Sequence, residues 1–390
     1  MSYFLIGMSH VVVGSVLQEL LLHYDRDYRD GGLLVAFQFA GFLVGVLIGP
    51  LFIKKLGPKS TILFCIGCLF AAEMTYLLLP PWSVFLLAAP VAGFGFGMVE
   101  TVVGALTIKH LGERAAKVMT RLEFFFGAGA LVMPALAGAL IATDNWRWTF
   151  SIVVLVAVST FVGWAGTAVT MFPSSLDHHS QDNMQQSMPS TTLTRSTGII
   201  LGMFILLFVV YVGLEMSLVN FLPSIMTERS NISVSVASFA VTGFWVAMCI
   251  GRLAVGSIAV RLGYLRFLTI SIGLAGIVFG AFALMGQASV IYAYGLVFML
   301  GLLLSGVFAV GLLAASRYFP GKEERTTSLL IGAGGIGGIA LPLVTGWLMD
   351  RTSTEVTTGF FTMYALVMLA IVLVIFASTH RLGKEKLPSK

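Results

Sequence analysis

The chain is poor in charge. Asp, Glu, Lys and Arg make up 11% of its 390 residues, whereas 57% are hydrophobic, and the mean hydropathy is +0.95. So apolar a composition excludes a disordered chain and an ordinary water-soluble domain. Cysteine is scarce too. Of three, Cys65 and Cys68 form an isolated CxxC within an apolar run, with no second pair and no nearby histidine. That pattern excludes a disulfide framework and argues against a metal or redox site. No Walker sequence, EF-hand loop or HExxH pair is found, and the GxGxG at 93–97 sits inside an apolar run with no strand before it. Nucleotide-driven pumping and metalloprotease chemistry are therefore not expected. No catalytic triad converges either, so neither an enzyme nor a cofactor is expected. The net charge of +5 is spread along the chain and gives no basic stripe for nucleic acid.

What is abundant is apolar runs of about 20 residues, the length that crosses a bilayer as a helix. Lipid supplies no hydrogen-bond partners for the backbone, so such runs must be helices or a closed barrel. Continuous rather than alternating hydrophobicity selects helices. Twelve spans are predicted, near 3–24, 32–53, 60–80, 83–108, 118–142, 148–172, 197–223, 233–258, 267–286, 289–315, 327–349 and 357–379. The polar stretch 173–196 (PSSLDHHSQDNMQQSMPSTTLTRS) has no apolar period and reads as a flexible linker. It divides the chain into units 1–172 and 197–379, followed by a tail at 380–390. The first run is too long for a signal peptide and lacks a small-residue cleavage site. Of 23 Lys and Arg, only Arg26, Arg29, Arg147, Arg229 and Arg351 fall in loops on one side, and Arg252 lies within a span. The excess on the other side places both termini in the cytoplasm of a multi-pass cell-membrane protein.

The two units repeat one another. PLFIKKLGPKSTIL (50–63) aligns with GSIAVRLGYLRFLT (256–269) at an offset of 206, which puts Gly45 on Gly251 and Gly57 on Gly263. GAGALVMPALAG (127–138) aligns with GIGGIALPLVTG (335–346) at 208, which puts Gly129 on Gly337 and Pro134 on Pro342. Duplication of a six-helix unit, with a solute held between the copies, is a transporter plan.

Twelve spans, a six-plus-six repeat and a basic, glycine-containing turn after spans 2 and 8 resemble the major facilitator superfamily. The resemblance covers the whole chain and implies an all-α membrane protein of two six-helix bundles related by a pseudo-two-fold axis. The superfamily turn is altered here: Lys54 stands at its acidic position in the first copy, and Val260 in the second, which keeps Arg261 and Gly263. Finer features are similar to the fucose–glucose–galactose proton symporter branch and its bacterial glucose/mannose members. These are FQFAGFLVGVLIGPLFIKK (37–55), GFGFGMVETVVG (93–104), KVMTRLEFFFGAGAL (117–131), YVGLEMSLVNFLPSIM (211–226) and FWVAMCIGRLAVG (244–256).

Six ionisable residues lie inside the spans: Glu19, Glu73, Glu100, Glu123, Glu215 and Arg252. A charge there costs several kcal/mol in lipid, so such groups face a bundle interior or a water-filled path. Gly93, Gly97, Glu100 and Gly104 share one face of span 4, which turns Glu100 toward protein or cavity. It sits roughly 7 Å from the middle of its span. A carboxyl so placed can take up and release a proton; the alternative is a structural ion pair. The resemblance implies the first, because an acid followed by Thr in span 4 is the family's proton-linked site. It also implies an acid at Glu215, one turn after Tyr211, in glucose-transporting members. Glu215 could bind sugar hydroxyls, share the proton role, or reach water.

Asn220 and Gln38 offer both donors and acceptors to a polyol. Trp245 can stack on a sugar ring and donate its N–H; packing is the alternative for Gln38 and Trp245. Pro223 is expected to bend or end span 7. Arg252 requires a carboxylate or carbonyl partner. It is read as a fixed tie near the cytoplasmic gate, or as a partner that Glu100 or Glu215 exchanges. Glu123 is expected to pair with Lys54 or Lys55. Glu19 reads as snorkelling, Glu73 and His10 as ordinary structural residues.

The sequence thus predicts a monomeric secondary carrier, with a hexose-like solute bound among Gln38, Glu100, Tyr211, Glu215, Asn220 and Trp245 and a proton as coupling ion. Lys54, Lys55, Glu123, Arg252 and Arg261 form the gating and structural charges. The rival is a proton-coupled drug or metabolite exporter, for which 18 Met and 30 Phe would supply an adaptable apolar cavity.

Overall fold

A computed structural model describes residues 1–111, 115–166, 195–285, 290–319 and 323–385. Among these the chain is helical throughout: α1 (Ser2–Ser15), α2 (Leu17–Tyr24), α3 (Tyr28–Leu56), α4 (Pro58–Leu77), α5 (Trp82–Leu111), α6 (Ala115–Ile141), α7 (Trp148–Gly166), α8 (Arg195–Ser230), α9 (Val234–Leu262), α10 (Tyr264–Ala283), α11 (Val290–Leu304), α12 (Val307–Tyr318), α13 (Glu323–Arg351) and α14 (Thr354–Glu385). Eleven continuous segments are long and apolar enough to cross a membrane, α11 and α12 counting together as one. The twelfth span is the pair α1–α2, bent by 51° at Val16. Expected spans 1 to 12 are thereby all recovered. Most of the expected linker lies outside the described residues, and α8 begins at its last two positions.

One bend and one break interrupt spans. Val16 leaves the helical region (φ −120°, ψ 14°), and its N–H turns back to the Val13 carbonyl at 3.3 Å. In span 10 the break falls at Ser305 and Gly306, between α11 and α12. Pro223, by contrast, does not end its helix, since α8 runs on to Ser230. Asn220 donates its amide to the Met216 carbonyl (2.9 Å) and Thr227 its hydroxyl to the Pro223 carbonyl (2.9 Å). Side chains thus bind carbonyls in the turns on either side of the missing proline N–H, a common accommodation in spans.

Packing rests on backbone-to-backbone approach through glycine. A Cβ at Gly93 would land on the Gln38 carbonyl, and one at Gly301 on the Phe244 carbonyl. A Cβ at Gly45 would come within 2.6 Å of the Phe94 carbonyl oxygen, and one at Gly251 within 3.1 Å of that of Leu302. Gly129 meets the Phe4 carbonyl as Gly337 meets that of Val209. Residue pairs linked by the sequence repeat therefore make the same contacts in both bundles. Gly57 and Gly263, which close α3 and α9, have φ of +77° and +86°, where a side chain would be strained. Large apolar side chains such as Leu47, Leu87, Leu155, Ile277 and Ile291 remain on the outer surface, as a lipid-facing belt requires.

The bundles meet along three seams, where α1 packs on α8, α3 on α13 and α6 on α9. At the face opposite the chain ends, the start of α3 is clamped by the other bundle. The Tyr28 and Arg29 backbone N–H groups donate to the two Asp350 carboxylate oxygens at 2.8 and 2.7 Å. Tyr28 also donates its hydroxyl to Glu228 (3.1 Å). Asp27, at the cap position of α3, makes no side-chain capping bond, so a residue from the other bundle caps this helix. A capping carboxylate contributes about 0.5–2 kcal/mol. Asp350→Ala is therefore expected to shift the equilibrium about 2–30-fold toward separation of this face. Distances between spin labels on Arg26→Cys and Thr352→Cys, measured with and without the substitution, check it.

Candidate functional site

The ionisable side chains gather where α1, α5 and α6 face α8 and α9. Arg252 of α9 reaches across the seam to lie beside Gly127 of α6. From there its charge acts on Glu123 of α6 and on Glu215 and Tyr211 of α8. Glu123 in turn acts on Glu100 of α5. Tyr3 of α1 completes the group: its hydroxyl donates to the Glu100 backbone carbonyl at 3.4 Å, and both carboxyls act on it. Tyr211 donates to the Leu304 carbonyl (3.2 Å), which lies at the break in span 10, and its hydroxyl is also within reach of Glu215. Among the described residues no ion pair of 4.0 Å or less joins Arg252 to a carboxylate. One guanidinium is thus shared at a distance by two carboxyl groups, Glu123 and Glu215, and Glu123 links them to Glu100.

A polar wall adjoins this cluster. Asn220 is 2% exposed and Trp245 1% exposed, yet Asn220 Oδ1 and Trp245 Nε1 are enclosed without hydrogen-bond partners. Asn220 lies against Gly14 of α1, close enough that a Cβ there would overlap it. The Trp245 ring stands edge-on to Phe126 of α6 (6.0 Å), which stands edge-on to His10 (5.6 Å). His10 Nε2 lies 3.0 Å from Met216 Sδ across the α1–α8 seam. Gln38, likewise buried, donates to the Ser9 carbonyl at 3.3 Å. Buried polar atoms left unpaired are few in folded proteins and call for a physical explanation.

The structure brings Tyr211, Glu215 and Arg252 together, with Glu123 between Arg252 and Glu100 and with Asn220 and Trp245 in the neighbouring wall. It does not bring Glu123 to Lys54 or Lys55. Both lysines are exposed at the end of α3, with no ion pair among the described residues, and Glu123 faces Arg252 and Glu100 instead. Arg261 is likewise exposed, near the end of α9. Glu19 is partly exposed. Arg229, expected in a loop, is buried within α8 and donates to Thr358 (2.9 Å) and to the Ala283 carbonyl (3.0 Å). The partners of Glu73 and His10 had no sequence signal beyond the presence of polar groups within spans.

This architecture is that of a multi-pass membrane carrier, and the sequence comparisons agree. The Major Facilitator Superfamily model matches residues 1–219 and 199–390, and the chain belongs to that family of transporters. It is 30% identical over 375 residues to the glucose/mannose transporter GlcP of Bacillus subtilis (strain 168), covering 95% of this chain and 91% of the relative. The solved D-xylose-proton symporter shares its fold with a TM-score of 0.77 at 14% identity, over 96% of this chain and 94% of the other. The nucleoside transporter NupG superposes with a TM-score of 0.76 at 12% identity, over 96% and 98%.

Removing the shared cation should leave Glu123 and Glu215 without a counter-charge. Arg252→Gln is expected to destabilise the protein by about 1–3 kcal/mol, less than breaking a close buried pair. Acidification should narrow the difference, because protonated carboxyls need no cation. Melting temperatures in detergent across a pH series, with Arg252→Lys as the milder control, check both expectations.

Proposed function

We propose that the chain is a secondary active transporter that carries a hexose-like sugar together with protons by alternating access. The observation that carries this reading is the pair of enclosed, unpartnered polar atoms, Asn220 Oδ1 and Trp245 Nε1, in a wall shared by the two bundles. A sugar hydroxyl both donates and accepts, so one solute can satisfy an amide oxygen and an indole N–H at once. Gln38, Tyr211 and Glu215 extend the same wall, and Trp245 offers an aromatic face. The relationship to the glucose/mannose transporter supports a hexose over other polyols.

Glu100 is the proton-coupling carboxyl in this reading, with Glu215 beside it. With Glu100 and Glu123 both ionised, the cluster holds more negative charge than Arg252 offsets. Binding a proton on Glu100 removes one charge from the seam and lets the bundles rearrange around the loaded site. In this reading the face that carries Lys54, Lys55 and Arg261 is cytoplasmic, as are both termini, which the excess of basic residues there supports. The units 1–172 and 197–379 are the rocking bodies, and the carrier acts as a monomer.

Glu100→Gln should abolish proton-driven accumulation while solute exchange persists. Asn220→Ala should weaken sugar binding about 5–30-fold, the loss of roughly 1–2 kcal/mol from one buried hydrogen bond. Uptake of radiolabelled glucose into proteoliposomes, with and without an inward proton gradient and with competing sugars, tests the proposal. Stimulated accumulation is the expected result. Absence of uptake and of competition in folded protein would overturn it and favour an exporter of drugs or metabolites.

A further inference from the structure

Glu73 of α4 lies outside the cluster described above, yet it is completely enclosed, with 0% exposure. Its Oε1 accepts a hydrogen bond from the Ser9 hydroxyl of α1 at 3.0 Å, and its Oε2 is buried without a partner. The Tyr76 hydroxyl, one turn further along α4, is also enclosed and unpartnered. The helix packs against α3, α5 and α7, and meets α1 through Ser9. Segment α7 carries no ionisable residue. The described groups on the other neighbours are Tyr3 and His10 of α1, Tyr28, Arg29, Asp30, Lys54 and Lys55 of α3, and Glu100 of α5. None makes a hydrogen bond or ion pair with Glu73 among the described residues.

A single neutral hydroxyl does not compensate an ionised carboxylate away from water. Glu73 therefore holds a proton in this arrangement and releases it only when its surroundings change. Helix α1 supplies the means. The Ser9 backbone carbonyl accepts the Gln38 amide at 3.3 Å, and the next residue, His10, contacts Met216 of the other bundle. Solute that recruits Gln38, or bundles that move apart, displace the turn of α1 that holds Ser9 against Glu73.

We propose that Glu73 is a second proton-carrying residue of the transport cycle, linked to the substrate wall through Ser9, so that two protons accompany each solute. The proton binds and leaves at Oε2, while Ser9 donates to Oε1. The stoichiometry rests on the carrier reading above; the titration of Glu73 does not.

In proteoliposomes with the membrane potential clamped and a tenfold proton gradient, two protons per sugar give a limiting accumulation ratio of about 100, and one proton about 10. Glu73→Gln should lower the wild-type limit about tenfold, with counterflow at equal pH verifying that the variant folds. An unchanged limit would overturn the proposal. Should Glu73→Gln fail to fold, Ser9→Ala should move the pH midpoint of accumulation, and an unmoved profile counts equally against it. Infrared difference spectra between acid and neutral pH should contain a protonated-carboxyl band that Glu73→Gln removes. If the wild type takes up no sugar, the carrier reading fails. The Glu73 proton then stands or falls on that band.

Discussion

A charge inside a bilayer has to be answered by another charge, because water and counter-ions are not at hand. In this chain one guanidinium, Arg252, answers two carboxyls, Glu123 of α6 and Glu215 of α8, and Glu123 in turn repels Glu100 of α5. Arg252 belongs to one bundle and reaches Gly127 of the other, so the balance is struck across the seam between them. Neither bundle is electrically complete alone. Any change in the charge of one carboxyl is felt by the whole group and by the packing of α6 on α9.

The glycines make such sharing possible. Backbones that touch at Gly45, Gly93, Gly251 and Gly301 bring helices close enough for side chains on adjacent faces to meet. Because the contacts recur in both bundles, the two halves are built on similar frames. The breaks at Val16 and at Ser305–Gly306 fall in spans 1 and 10. The first lies two residues from Gly14, against which Asn220 packs, and the second beside the Leu304 carbonyl that holds Tyr211. The breaks in the helices thus fall next to the polar groups of the candidate site.

Much of this was legible in the residues. Continuous apolar runs define the spans, and the aligned glycines anticipate contacts that later proved equivalent. Glu100 and Arg252 were identifiable because charge in a span needs a reason. The partner of Glu123 was not, since pairing by proximity to the basic turn ignored which way helix α6 faces. Asn220 and Trp245 could be named as polar groups, but that each leaves one atom unpaired is a property of three-dimensional packing. Glu73 is visible as a charge within a span, but its partner Ser9, 64 positions away, carries no signal in the sequence. The Asp350 contact left no trace either, since its donors are backbone amides.

That last point bears on how the closure tolerates mutation. Asp350 holds the main chain at Tyr28 and Arg29, and every residue except proline presents the same N–H. The two donor positions are therefore free to drift without loosening these two bonds, whereas the single acceptor is not. Asymmetry of this kind hides an interaction from any comparison of paired substitutions. A covariation search would find a solitary constrained acid at 350 and nothing opposite it, although it joins the two halves of the molecule.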